Sequence, residues 1–389
     1  MRRLVALSIA ARLPDAMLGI GLMVHTLQLT GSFAAAGVVT GGYGLAVGVG
    51  SPPLGRLIDR RGHRWVLVAS ASVQAALLGA IVVVPGHAPT VVPVLLAIGI
   101  GLATPPVGAS LRTQLPSLLP DPGALNRAYA LETSINELTW VGGPPLVLAL
   151  GAMWSTGAAL AAVGLVLIVS TIAFAAQPVS RVRTAAPIAD RRRRGGALRS
   201  PTIRTLTFAL LALGVLLGAD EVAVTASARA LSGSATSAGP LLALWAAGSF
   251  GGGLLVARFG DRIRPVSGLT VGLVALAIGH LALIPAAGSF AALAAVLLGA
   301  GAAIAPTEAA AYAMVDSAAP AGTVTEAFSW LYTAIAVGSA GGAAAAGILV
   351  ARLGPAAAFA LGGGACVVAA VVTASRAATL TPALCPDPA

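Results

Sequence analysis

The sequence predicts an all-α membrane protein of twelve transmembrane helices, arranged as two six-helix, pseudo-symmetric halves. Three observations carry this expectation. The first is composition: 57% of the 389 residues are hydrophobic and only 9% are charged, with a mean hydropathy of +0.92. A soluble domain carries about 25% charged residues, so this chain cannot cover a water-facing surface. The second is continuity. Its apolar runs reach the ~20 residues that cross a bilayer as a helix, whereas barrel strands would alternate over short segments. The third is repetition, because landmarks of the first half return in order in the second.

Breaks at polar, Pro and Gly residues place the spans near 4–29, 33–55, 65–85, 90–111, 127–152, 155–177, 204–228, 235–257, 266–286, 289–312, 326–351 and 355–377. All 23 basic residues are Arg, and the net charge is +10. With the N-terminus cytoplasmic, 20 of the 23 fall on cytoplasmic segments, the exceptions being Arg12, Arg229 and Arg352. The excess of positive charge on short cytoplasmic loops sets orientation, so both termini are expected inside. The charge follows the bilayer and not a surface patch, which argues against a nucleic-acid partner. Arg-only usage with abundant Ala and Gly points to a GC-rich bacterial genome, hence to a multi-pass protein of the cell membrane. Met1-Arg2-Arg3 and the apolar run behind it imitate a signal peptide. The run continues to helix length without a small-residue cleavage site, so it reads as an uncleaved first span.

The expected domains are a six-helix bundle at 1–177, a cytoplasmic linker at 178–203 and a second bundle at 204–389. The linker holds Arg191, Arg192, Arg193 and Arg194. Such a charge run is a solvated segment, suited also to anionic lipid. Cys366, in an apolar run, and Cys385, in the tail, have no metal-site or disulfide spacing. No cofactor is expected.

A shift of 198 residues lays Gly55, Arg60, Gly62 and Arg64 on Gly253, Arg258, Gly260 and Arg262. A shift of 199 or 200 aligns Gly101 with Gly301, Pro106 with Pro306, Pro120 with Pro320, and Gly142-Gly143 with Gly341-Gly342. Gly is common here, so the ordered run of matches carries the inference, not any single one.

Between the second and third spans lies Gly55-Arg56-Leu57-Ile58-Asp59-Arg60-Arg61-Gly62-His63-Arg64, in which five of ten residues carry fixed charge. Charge packed that densely sits in water at the bilayer surface. Gly55 and Gly62 allow tight helix approach and a turn with positive φ. Asp59, among Arg56, Arg60, Arg61 and Arg64, can form charge-assisted bonds. This segment resembles the signature loop between helices 2 and 3 of the major facilitator superfamily, roughly G-x-L-x-D-R-x-G-R-R. The departures are His63 where that family usually has Arg or Lys, and Ile58 where it often has Ala. The resemblance covers the whole chain through span count, orientation, central linker and loop. It implies two parallel bundles with a substrate site near the midplane. It also implies that Asp59 and Arg60 brace the cytoplasmic ends of helices 2 and 3 against the start of helix 11, near Glu326, favouring an outward-open state. The gate is therefore expected at Gly55, Asp59, Arg60, Gly62 and Arg64. At Asp59 the repeat has Ala257, so the acid belongs to the first half alone.

An ionised side chain at the bilayer centre costs on the order of 2.5–3.5 kcal/mol on insertion scales, so each needs a reason. Arg12 and Asp15 lie in the first span, Glu132 and Glu137 in the fifth, Asp220 and Glu221 in the seventh, and Glu308 in the tenth. In the family, helices 1, 4, 7 and 10 line the central cavity, which would expose Asp15, Asp220, Glu221 and Glu308 to substrate. A desolvated carboxyl group can load and release a proton near neutral pH. Asp15 with Asp220 or Glu221, and then Glu137, are the expected proton carriers. Arg12 and Asp15, three apart on one helical face, can instead neutralise each other. Of Asp220 and Glu221, at most one faces the cavity squarely. Glu132 can be interfacial, His280 falls in a peripheral ninth span and reads as structural, and His25 stays open.

Pro in a helix removes a backbone bond, which membrane helices tolerate where neighbours or cavity water serve the freed carbonyls. Thr104-Pro105-Pro106, Gly142-Gly143-Pro144-Pro145 and Pro306-Thr307 are such places. Gly143-Pro144 resembles the Gly-Pro element of bacterial drug:proton antiporters, with the surrounding Gly spacing poorly kept. The Arg often found well inside helix 4 of that branch is missing; the nearest, Arg112, is at the cytoplasmic end. What the resemblance implies is a proton-driven exporter of a small apolar drug or metabolite, working as a monomer in the lipid bilayer. Proton-coupled uptake of a nutrient or amphipathic solute is the alternative. A membrane enzyme or receptor is disfavoured, since no metal-spaced cluster, G-x-S-x-G or phosphate loop appears.

Overall fold

The computed structural model describes residues 2–119, 121–177, 196–232, 237–259 and 264–380. The Arg191 to Arg194 run, Pro120, Gly260, Arg262 and Cys385 lie outside the described residues. α1 (Arg2–Thr30) passes to α2 (Phe33–Arg61) through Gly31 and Ser32. The Ser32 hydroxyl accepts from the Ala35 N–H at 3.2 Å, serving one of the four donors that a helix start leaves without a partner.

α2 runs on beyond residue 55 and ends at Gly62, whose N–H donates to Ile58 O at 2.7 Å. α3 (His63–Val82) starts at the next residue. The charged ten-residue turn is therefore helix on both sides of a one-residue hinge. Gly62 has φ +91° and ψ 159°, a region open essentially to glycine. Continuing the helix keeps the backbone hydrogen-bonded where the chain leaves the membrane. Arg60 and Arg61 in its last turn complement the partial negative charge of the C-terminus.

α4 (Val91–Leu102) and α5 (Val107–Leu118) replace the single span expected over 90–111. Pro105 and Pro106 have no N–H for the carbonyls of Gly101 and Leu102, and the ladder breaks. The Thr104 N–H donates to Gly101 O and its hydroxyl to Ile100 O, each at 3.2 Å. α6 (Pro122–Met153) keeps Pro144 and Pro145 inside one helix of 32 residues, and α7 (Thr156–Ala175) follows. After a 3-10 turn at Ala197–Arg199 come α8 (Pro201–Ser232), α9 (Ala238–Phe259), α10 (Pro265–Leu281) and α11 (Leu283–Ala286). α12 (Phe290–Gly301) and α13 (Ile304–Ala313) divide the span expected over 289–312, where Pro306 offers no N–H to Ala302, and α14 (Val315–Ala318) follows beyond it. α15 (Val324–Leu353), α16 (Pro355–Ser375) and α17 (Ala377–Leu380) complete the order.

Among the described residues ten helical segments are long and apolar enough to cross a membrane, so the chain is a multi-pass membrane protein. α2 and α6, of 29 and 32 residues, are long helices outside that set, and each carries a Pro pair.

The chain packs as two units: Met1–Leu118 with Ile135–Arg194 and Ala321–Ala336, and Leu119–Ser134 with Gly195–Pro320 and Val337–Ala389. Leu18, Leu22, Val39, Leu78, Ile100 and Leu160 centre the first core. Ala219, Val224, Leu241, Leu293, Leu297 and Phe359 centre the second. Lipid is as apolar as leucine, so these cores are held by close packing and not by escape from water. The paired glycines show how close. A Cβ at Gly101 would collide with Tyr43 O of α2, and one at Gly301 with Trp245 O of α9. A Cβ at Gly143 would lie 2.8 Å from Ala16 Cβ of α1, and one at Gly342 would strike Val215 O of α8. Their neighbours Gly142 and Gly341 both face open space. The aligned residues thus make the same kinds of helix contact within each unit.

Candidate functional site: a carboxylate at the start of a helix

The first turn of α15 presents N–H groups that no residue of the helix can accept from. In the first unit, Asp59 meets them. Its Oδ1 accepts from the Thr325 N–H at 3.1 Å, and its Oδ2 from the Glu326 N–H at 2.9 Å. The carboxylate caps α15 from another helix and complements the positive end of the helix dipole. Arg56, one turn earlier on the same face of α2, donates from Nη2 to Glu326 Oε1 at 2.6 Å. Its side chain is 47% exposed while that of Glu326 is 2% exposed, so the pair joins a solvated cation to a buried acid. The Thr113 and Thr325 hydroxyls lie 3.2 Å apart.

Gly55 makes this approach possible. A Cβ there would collide with Ser329 Oγ and come within 2.9 Å of Thr325 O and 3.1 Å of Glu326 Cα. Burial pushes Asp59 from 3.8 up to about 6; bonds from Thr325 and from the Glu326 N–H pull it down, and the Glu326 charge adds to the rise. Arg56 is held above its usual range by the hydrogen bond and charge of Glu326.

The structure thus brings Gly55 and Asp59 to α15 beside Glu326. Gly62 serves as the hinge. Arg60 and Arg64 are exposed, and neither makes an ion pair with the start of α15 among the described residues. Sequence reasoning left Arg56 out of the gate. The signal was its i, i+3 spacing from Asp59, which puts base and acid on one helical face.

The intramembrane charges divide between the units. In the first, Arg12 is buried and Asp15 half-buried. Asp15 feels the Arg12 guanidinium and lies within electrostatic range of the Tyr43 and Tyr332 hydroxyls. Its Oδ1 is buried without a hydrogen-bond partner. Elsewhere in this unit, Gln74 Nε2 donates to Thr104 Oγ1 at 2.9 Å, and His25 Nδ1 sits 3.0 Å from Thr156 Oγ1. Glu137 is half-buried.

In the second unit, Glu132 is buried and Glu308 accepts from the Tyr312 hydroxyl at 3.2 Å. Asp220 and Glu221 part company: Glu221 is exposed, while Asp220 is wholly buried. Asp220 Oδ2 lies 3.1 Å from Nε2 of His280 on α10. Trp245 of α9 donates from Nε1 to the same nitrogen at 3.3 Å. His280 therefore faces the acid of another helix, a pairing across 60 positions that no local sequence signal announces. Among the described residues no group of three or more His, Cys, Asp or Glu side chains could hold a metal ion.

Structural comparison finds the same fold elsewhere. A bacterial homologue of the iron transporter ferroportin, in an outward-facing state, superposes with a TM-score of 0.78 at 16% identity, covering 97% of this chain and 99% of that one. The human organic anion transporter MFSD10 gives 0.70 at 17% identity, covering 96% and 99%. The proton:xylose symporter XylE gives 0.70 at 14% identity, covering 95% and 94%. At these identities the likeness is one of fold. No protein of curated function matches the chain in sequence. The profile of the Major Facilitator Superfamily matches residues 4–226 and 222–383, and the chain belongs to that superfamily of transporters.

Proposed function

We propose that this chain is a secondary active transporter that exports a small apolar drug or metabolite in exchange for protons by alternating access. The observation that carries this reading is the capping of α15 by Asp59, with Arg56 on Glu326 beside it. Two N–H bonds, an ion pair and a glycine contact form a latch on residues that can come apart without breaking a helix. In this reading twelve spans form two bundles, 1–177 and 204–389, joined by an Arg-rich linker at 178–203. Both termini are cytoplasmic, the protein works as a monomer in a bacterial cell membrane, and the proton gradient is the energy source. The gate is Gly55, Asp59, Arg60, Gly62 and Arg64, with Arg56 added. Asp15 beside Arg12 is a proton carrier, with Glu137, Glu221 and Glu308 as further groups in the path.

The test is a panel of lipophilic dyes and antimicrobials in a pump-deficient bacterial host. Cells making the wild-type chain should exclude at least one compound, and a protonophore should abolish the exclusion. Accumulation of a solute with inward proton flux, and exclusion of none, would replace export by uptake.

A further inference from the structure

We propose that Asp220 and His280 form a buried one-proton site, in which the Asp220 carboxyl carries a proton that it donates to Nε2 of His280. The opening that releases this proton is part of the transport cycle. The role given to the proton rests on the proton-coupled reading above; its presence does not.

The hydrogen-bond partners set the protonation. His280 Nδ1 lies 2.7 Å from Leu276 O, and a carbonyl only accepts, so Nδ1 bears a hydrogen. Trp245 Nε1 lies 3.3 Å from His280 Nε2, and an indole only donates, so Nε2 presents its lone pair. Asp220 Oδ2 stands 3.1 Å from that same nitrogen. An ionised carboxylate there would set acceptor against acceptor. A doubly protonated imidazole would set its N–H against the N–H of Trp245. A neutral carboxyl group donating its O–H to Nε2 avoids both clashes, the single Nε2 lone pair being shared between that O–H at 3.1 Å and the more distant Trp245 N–H at 3.3 Å.

The surroundings keep the proton in place. Both side chains are 0% exposed. Among the described residues, the titratable groups that bear on Asp220 include His280 from α10 and Cys366 from α16. α9 contributes the Trp245 indole. Gly362 of α16 closes over Oδ1, where a Cβ would lie 3.1 Å away. Removing the proton would leave a bare carboxylate in an apolar interior, where it has no water to solvate it. Release therefore requires water to reach the pair. The proton then passes from Oδ2 to that water, and the carboxylate takes another from water before the site closes again.

The experiment is infrared and 15N spectroscopy on the full chain in lipid nanodiscs at neutral pH. The wild type should show a protonated-carboxyl C=O band that disappears in Asp220→Asn, whose amide keeps a donor toward Nε2. If that variant does not insert, His280→Leu serves instead, since removing the acceptor should move the band to higher frequency. His280 should show one protonated and one unprotonated ring nitrogen. Exchange of the carboxyl proton into D2O should be slow, and faster by about tenfold or more in Asp59→Asn, which loosens the latch. Absence of the band, or a doubly protonated His280, would overturn the site. A band whose exchange is equally fast in wild type and Asp59→Asn would overturn its link to the cycle. A chain that exports nothing but shows the band and the pattern would leave the site standing and remove only the export reading.

Discussion

Replacing Asp59 by Asn isolates the latch. Asn has the shape of Asp but only one acceptor oxygen, and its NH2 group would face one of the two N–H donors of Thr325 and Glu326. One charge-assisted bond, about 1.5–3 kcal/mol, is lost, together with the helix-dipole term of about 0.3–1 kcal/mol. An opposing term enters because burial already pushes Asp59 up to about 6: a neutral amide is buried more cheaply than a carboxylate. At neutral pH that opposing term roughly offsets the lost charge terms, and what remains is the misfit: an N–H of Thr325 or Glu326 is left facing an NH2 group with no acceptor, about 2 kcal/mol, or roughly 30-fold in the closed-to-open ratio. Hydrogen–deuterium exchange read by mass spectrometry on the segment around Thr325 and Glu326 measures this directly. Exchange there should rise by roughly that factor, while segments in the core of α7 stay unchanged, and transport should nearly cease with normal membrane insertion. Unchanged exchange together with full transport would refute the latch.

Three further outcomes follow from the same geometry. Latched Asp59 binds its proton more tightly than a solvated carboxyl group, about 6 against 3.8. Its contribution to the latched form is thus fully present below the lower value and lost as pH rises through the upper. Protection at Thr325 and Glu326, corrected for intrinsic exchange, should fall between about pH 4 and about pH 7 and level off above, and Asp59→Asn should flatten the profile. Glu326→Gln removes an ion pair whose Arg is half exposed, so it should cost only about 0.2–1 kcal/mol; exchange around Thr325 should rise far less than in Asp59→Asn. The paired glycines should answer unequally: Gly143→Val and Gly342→Val should lower the detergent melting temperature by several degrees, while Gly142→Val and Gly341→Val, which face open space, should leave it within error.

Much of the fold was legible because membrane insertion writes itself into composition. Runs of apolar residues and the side on which Arg falls are one-dimensional signals, and they mark helices such as α3, α7 and α16 nearly to their observed ends. The helix breaks were harder to place. The prolines were visible, yet Pro105-Pro106 divides a span while Pro144-Pro145 sits inside an unbroken helix, because the outcome depends on what serves the freed carbonyls.

The site shows the same division. Asp59 was legible from its motif, but its partners were expected to include the neighbouring Arg side chains. Backbone N–H groups of Thr325 and Glu326 are invisible in a pattern of side chains. Arg60 drew attention as the motif residue, although helical phase turns Arg56 toward Glu326. Asp220 and Glu221, adjacent and chemically alike in the sequence, were told apart only by burial: one meets His280 and the other is exposed.

Residue chemistry and spacing along the chain were enough to say that this is a helical membrane protein with an internal repeat and a charged signature at the end of its second span. Hydropathy, positive charge and helical periodicity are local properties, and they survive without any knowledge of neighbours. Which acid caps which helix, which glycine carries a backbone contact, and which carboxyl group is sealed against an imidazole were decided by packing. Those outcomes depend on groups such as Asp59 and the Glu326 N–H, 267 positions apart, brought within 3 Å only when the helices close on one another.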